Sequence, residues 1–238
     1  MNSSASPGRG RNRWQGKIWR AGRLTGLSAL GGALVICQAA PLHISLFRHE
    51  FHPDNVFAYP ARLSLDFRRV AVMPLAAAAA GSDLADGCGI LAPVLFDRLV
   101  KTKKFEVVAV DADKLRSATG RAAWTGNEVL PADFLAYLHR EYGCDGVLFV
   151  ELTSYHAYAP LAVGWRFKLV DVRSGQILWS ADELFDAAQP AIGRAAQQFE
   201  QPRPFLPGFY EENWVAMNSP RQFGSFSVAA LLATLPER

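Results

Sequence analysis

The sequence predicts an α/β fold of the α+β kind, a mixed β-sheet of about five strands with helices packed on it. Two observations predict it. Residues 143–187 (GCDGVLFVELTSYHAYAPLAVGWRFKLVDVRSGQILWSADELFDA) read as three consecutive strands, and their connections are short enough for antiparallel pairing. Upstream, two apolar stretches, residues 69–75 (RVAVMPL) and 105–110 (FEVVAV), flank a helical pattern that supplies the crossover a parallel pair needs. The order along the chain is strand, helix, strand, helix, helix, strand, strand, strand, followed by carboxy-terminal helices.

Each element has a local cause. Residues 41–64 carry Pro53 and Pro60 and no helical period, so they read as an extended linker. The 69–75 strand has no polar face and belongs in the middle of the sheet. The run Ala76 to Ala80, with Gly81-Ser82 after it, reads as a loop or frayed turn. Asp83 is placed to cap a helix whose stripe is Leu84, Cys88, Leu91, Leu95 and Leu99. Pro93 within that stripe predicts a kink, or a start near Ala92. Asp111 caps a short helix over 112–118, closed by Gly120, and 121–130 with Trp124 is loop. Pro131 opens a helix over 132–142 that stops at Gly143.

In the last block, residues 147–152 are apolar on both faces, whereas 164–172 alternate. Trp165, Phe167 and Leu169 should share a core while Arg166 and Lys168 reach water. Gly175 suits the positive φ of the turn at 171–176, and the strand from Ile177 should return Ile177 and Trp179 to that core. Residues 190–201 are an amphipathic helix candidate, and 202–217 are a loop rich in proline and aromatics. Ser219-Pro220 starts a last helix that faces the domain through Val228, Leu231 and Leu235. The expected organisation is a leader over 1–40, a linker over 41–64, the α/β domain over 65–187 and an extension over 188–238 packed on it.

The charge is unevenly placed. The 238-residue chain has a net charge of +3, with half its residues apolar. Arg9, Arg11, Arg13, Lys17, Arg20 and Arg23 all precede Leu24, with no acid among them. Setting those six aside leaves 19 basic against 22 acidic residues, a body unsuited to nucleic acid. The uncharged run that follows, 24–36 (LTGLSALGGALVI), has signal-peptide length and leads into Cys37-Gln38-Ala39-Ala40-Pro41. Leu34-Val35-Ile36-Cys37 resembles a lipobox in its leucine and cysteine, with Ile36 at −1. Cys37 is therefore the candidate lipidation site. Cleavage after Ala39 or Ala40, or an uncleaved leader long enough to span a hydrocarbon core of about 30 Å, are the alternatives. In every case the basic flank stays cytoplasmic and the body crosses, and a body attached to the membrane is expected. Cys88 and Cys144 remain as a pair for an oxidising compartment or as small core residues.

The polar constellations are weak. His43, His49, Glu50, His52 and Asp54, with His156 at a distance, are the candidate metal ligands of a metal-dependent hydrolase. The spacing His49-Glu50-Phe51-His52 is not the i, i+4 helical zinc pattern, and Pro53 follows it. Ser154-Tyr155-His156 with Asp171 or Asp182 lacks a nucleophile elbow. Tyr155 and Tyr158, with Trp165, are candidates for an exposed aromatic partner surface or for core residues.

Taken in order, RVAVMPL, FEVVAV, GCDGVL at 143–148 and LVDVRSGQILWS at 169–180 resemble the periplasmic α/β domain of a known group. That group comprises the TolB amino-terminal domain, the curli secretion lipoproteins and the lipoprotein activators of penicillin-binding proteins. The resemblance spans residues 68–186. It implies a non-enzymatic, membrane-anchored envelope lipoprotein, with no catalytic residues and no cofactor, that docks another envelope protein. It also opens the alternative of a subunit of an oligomeric secretion pore, for which residues 155–172 are the candidate barrel hairpin with Arg166 and Lys168 facing the lumen.

Overall fold

A strand with no polar face at its start sits inside the sheet, with a neighbouring strand on each side. Strand β5, Gly146–His156, is buried without interruption from Gly146 to Leu152 in the computed structural model, which describes residues 51–199 and 217–238. Six further strands join it: β1 (Val56–Ala58), β2 (Arg69–Val72), β3 (Ala76–Ala77), β4 (Glu106–Ala109), β6 (Ala162–Asp171) and β7 (Ile177–Asp186). The sheet has seven strands in the order β1-β7-β6-β5-β2-β4, and β3 pairs with β5 beyond the end of β2. The parallel half (β4, β2, β3, β5) and the antiparallel half (β5, β6, β7, β1) meet at β5. The fold is the mixed α/β sheet the sequence predicts. The two extra strands come from stretches read as linker and loop. Pro74 has no N–H to give the ladder, so the chain leaves β5 after Met73 N donates to Leu148 O (2.9 Å) and rejoins it at Ala76.

Five helices are described: α1 (Ser82–Thr102), α2 (Ala112–Thr119), α3 (Phe134–Tyr142), α4 (Pro190–Gln198) and α5 (Pro220–Leu232). Helix α1 runs continuously through Pro93, neither starting nor breaking there. Its stripe of Gly87, Leu91, Leu95 and Leu99 is buried on both sides of the proline, so tertiary packing holds the turn that proline weakens. Gly81, not Asp83, is its N-cap, and Asp83 lies in the first turn where a carboxylate suits the helix dipole. Asp111 caps α2 by accepting from the N–H groups of Asp113 (2.9 Å) and Lys114 (2.8 Å). Gly120, Gly143 and Gly175 take φ of 80°, 59° and 70° at the helix and turn stops the sequence marks.

Side-chain alternation divides the interior into two cores. On one face, Val70, Val72, Leu148, Val150, Leu152, Trp165, Phe167, Leu169 and Trp179 are buried with the α1, α4 and α5 residues. On the other, Ala71, Met73, Val147, Phe149 and Val170 are buried with Leu115, Trp124, Phe134 and Leu138. Helix α5 closes the first core. Gly224 permits its approach, since a Cβ there would run into Leu91. The buried Ser227 accepts from Trp165 Nε1 (2.8 Å), and Thr234 accepts from Trp179 Nε1 (3.0 Å). The cysteines lie on opposite sides of the sheet, Cys88 against the first core and Cys144 in the second, so both are free thiols rather than a pair.

Two register shifts adjust this alternation. In β7, Leu169 opposes Trp179 while Val170 opposes Ile177, so Leu178 is the extra residue of a bulge. Leu178 and Trp179 consequently both face the first core, and Ile177 is exposed, contrary to the strict period-two reading. In β5 a shift between Leu152 and Ser154 makes Thr153 the extra residue and sends Tyr155 into the core that Leu152 occupies.

Truncating Phe167, which is fully buried between Trp165 and Trp179, to alanine should lower unfolding free energy by about 3–5 kcal/mol in urea titrations. Ser227→Ala, which orphans a buried indole N–H, should cost about 1–3 kcal/mol. Wild-type midpoints for both variants would show that α5 does not close this core.

Candidate functional site

Among the described residues, no helix lies over the polar stretch of sheet formed by β5, β6, β7 and β1 on the side of the second core. Cross-strand pairing arranges it in rows. One row is Phe149, Lys168, Ser180 and Phe57; the next is Glu151, Arg166 and Asp182. The third is Ser154, Gly164 and Leu184. Arg166 sits at the centre. Its Nε donates to Asp182 (2.7 Å) and its Nη1 to Glu151 (3.2 Å). The bond to Asp182, ahead of all other causes, raises the guanidinium pKa further, so this charge is permanent. Glu151 is only 4 % exposed, a carboxylate in an otherwise apolar run whose ion-pair partner is Arg166.

A loop over residues 121–128 borders the face. Lys168 Nζ donates to Gly126 O (2.6 Å) and Asn127 Oδ1 (2.7 Å), fixing the loop to β6. Arg121 bonds Glu128 (2.9 Å) and lies 4.4 Å over the Trp124 ring, whose Nε1 donates to Thr119 Oγ1 (2.9 Å). The Arg121 bond, together with a bond from the Thr125 N–H, holds the Glu128 carboxyl below the usual glutamate range against a desolvation that opposes it. Between loop and sheet are two shallow hollows that share Arg166 and Asn127. One, of 340 Å³, reaches Asn55 and Phe57 of the β1 side; the other, of 640 Å³, is bounded by Ala77, Ala85, Cys88, Glu128 and Glu151. Exposed apolar residues flank the charged rows: Phe57 is 51 % and Leu184 49 % exposed.

The candidates read from the sequence are separated by the fold. Tyr158, in the β5–β6 turn, is 88 % exposed, whereas Tyr155 is 5 % exposed with its ring against Gly87. Tyr155 is thus a core residue and not part of a partner surface, because the Thr153 bulge turns it inward. Its hydroxyl is buried without a partner among the described residues, and burial raises its pKa. Trp165 is likewise fully buried. Asp171 serves the β6–β7 turn, accepting from Arg173 N and Ser174 N, at the far end of the sheet from Ser154. Asp182 is engaged by Arg166. His52, Asp54 and His156 are exposed, and no group of three or more metal-ligating side chains gathers among the described residues. Residues 155–172, the barrel-hairpin candidate, are built into this sheet, with Val163, Trp165 and Phe167 in its core. Cys37, His43, His49 and Glu50 lie outside the described residues. Glu151 is not among the residues singled out from the sequence; a lone acid in an apolar strand, facing an arginine one strand away, is its signal.

Neither a protein-family model nor a curated protein matches the sequence. Solved structures are similar to it. The PelC dodecamer from Paraburkholderia phytofirmans is 16 % identical, over 77 % of this chain and 96 % of that one, with a TM-score of 0.42. Lipoprotein GNA1162 from Neisseria meningitidis is 20 % identical over 50 % and 79 %, with a TM-score of 0.35. Escherichia coli LpoB is 17 % identical over 75 % and 89 %, with a TM-score of 0.36. The functional reading rests on this chain's own residues.

The loop should respond to acid. A depressed Glu128 pKa stabilises the folded loop above the ordinary glutamate value of about 4.3, and that contribution is lost as pH falls through the lower folded value. The effect is modest, because the side chain is a third exposed. In NMR titrations the Trp124 indole resonance should move below about pH 4, and Glu128→Gln should abolish that movement. Identical titrations of the two proteins would remove Glu128 as the loop's clasp.

Proposed function

We propose that this chain is a non-enzymatic, membrane-anchored module of a bacterial envelope that docks another envelope protein through the open sheet face. The observation that carries the reading is the condition of the charges on that face. Arg166 is matched by Glu151 and Asp182, and Arg121 by Glu128, while Phe57 and Leu184 stand exposed beside them. A reactive centre needs groups poised to exchange protons or electron pairs with a substrate. A docking surface needs satisfied polar groups around apolar anchors, and that is what these residues supply. Tyr158 extends the apolar surface at the β5–β6 turn. The cationic leader followed by an apolar run supports export, and Cys37 supports lipid attachment. No described helix is long and apolar enough to cross a membrane.

Wild type and Cys37→Ser should be compared by fractionation and intact mass. Two acyl chains on Cys37 anchor stably where one gives marginal binding, so a diacylated wild type in the membrane fraction is expected. An unmodified protein starting at Ala40 or Pro41 in the soluble periplasm would overturn the anchor. Docking is read separately: Leu184→Glu, at an exposed position, should abolish function while leaving stability within about 0.5 kcal/mol of wild type. Full function in that variant would overturn the docking role of the face.

A further inference from the structure

The domain is electrically polarised along its strands. At the end where Phe51 lies, its ring packs on Phe185 (5.4 Å) and Asp54 N donates to Glu183 (3.2 Å). Asp54, Asp83, Asp86, Glu183 and Asp186 gather there without an ion pair among the described residues; Arg194 of α4 is the cation nearby in sequence. At the opposite end three segments converge. Leu63 N donates to Glu237 O (2.7 Å) and Glu106 N to Arg68 O (2.7 Å). Lys104 Nζ donates to Leu235 O (2.6 Å), and Arg238 Nη2 to Leu65 O (3.3 Å).

This convergence groups Arg62, Arg68, Lys103 and Arg238 about Leu65, which is 75 % exposed. The neighbouring cations Arg69, Lys101 and Lys104 are neutralised by Glu106, Asp97 and Glu237. Arg62, Arg68, Lys103 and Arg238 have no ion pair among the described residues; of the acids beside them, Asp145 accepts from the Arg68 and Arg69 N–H groups and pairs with Arg173 (3.6 Å), and Asp66 has no ion pair. The surplus charge at this end is therefore positive and surrounds an exposed leucine.

We infer that this far end docks on an anionic lipid bilayer, with Leu65 entering the headgroup layer between the cations. An anionic surface attracts this end and repels the acidic one, so it selects one orientation of the body. The inference rests on the membrane-attached reading, which brings the body to lipid. The chain from Cys37 to Phe51 reaches at most about 50 Å, whereas β5 extends only about 36 Å at 3.3 Å per residue. Either end of the domain is thus within reach of the membrane, and charge decides between them.

The test uses the full chain with vesicles of phosphatidylcholine alone, and of phosphatidylcholine with phosphatidylglycerol. Flotation reports attachment, and amide hydrogen exchange reports the docked surface. Exchange over residues 62–68 and 103–106 should slow severalfold on the anionic vesicles only, with β5 and β6 unchanged. Molar salt, which shortens the Debye length to about 3 Å, should erase the protection. The triple variant Arg62→Glu/Arg68→Glu/Lys103→Glu should also lose it. Equal exchange on both vesicles overturns the inference, as does protection that survives molar salt. A chain that fails to float with phosphatidylcholine contradicts the anchor alone; protection on anionic vesicles would still support docking, and its absence there would refute it.

Discussion

Trp165 and Trp179 set the terms for the rest of the molecule. Both rings are fully buried, and both carry an N–H that has to be bonded where water does not reach. Ser227 and Thr234 accept those bonds, and both come from the last helical segment, more than fifty residues away along the chain. The antiparallel half of the sheet and α5 are therefore one cooperative structure. Gly224 fixes how closely α5 lies on α1, and Arg98 of α1 donates to Ser225 of α5 (2.6 Å). A residue that weakens one of these contacts weakens the cover of the whole aromatic wall.

Using one face of β6 and β7 for that wall leaves the opposite face with the alternate residues. Their polarity is tolerable because they are matched in place: Arg166 spans Glu151 and Asp182, and Lys168 caps the carbonyl of Gly126. Glu151 makes the arrangement asymmetric. It is nearly inaccessible, so loss of Arg166 would strand a buried carboxylate, whereas loss of the half-exposed Asp182 would not. The sheet face is thus ion-paired in its centre and apolar at its margins.

Most of the fold was legible in the chain because its strands carry strong periodic signals. The run from Trp165 to Leu169 assigned its own two faces, and Asp111, Gly120, Gly143, Gly175 and Ser219 marked boundaries that the backbone respects. What was not legible depended on register. Nothing local distinguishes Leu178 or Thr153 as a bulge residue, yet the bulges expose Ile177 and bury Tyr155. Strands β1 and β3 are two or three residues long and are made by pairing with β7 and β5, not by propensity. No helix starts at Pro93, because packing outweighs its helix penalty. Of the candidate surface, Tyr158 was visible and Glu151 was not, since a buried charge is recognised by the partner that faces it across the sheet.

The most direct test of the open face is photo-crosslinking in living cells. A photoreactive amino acid would replace Leu184 or Phe57 on the face, and Asp113 on α2 as an exposed control. The expected result is one discrete adduct to the same envelope protein from Leu184 and Phe57, and none from Asp113. Adducts that are absent from both face positions, or equally abundant from Asp113, would contradict a docking role for this side of the sheet.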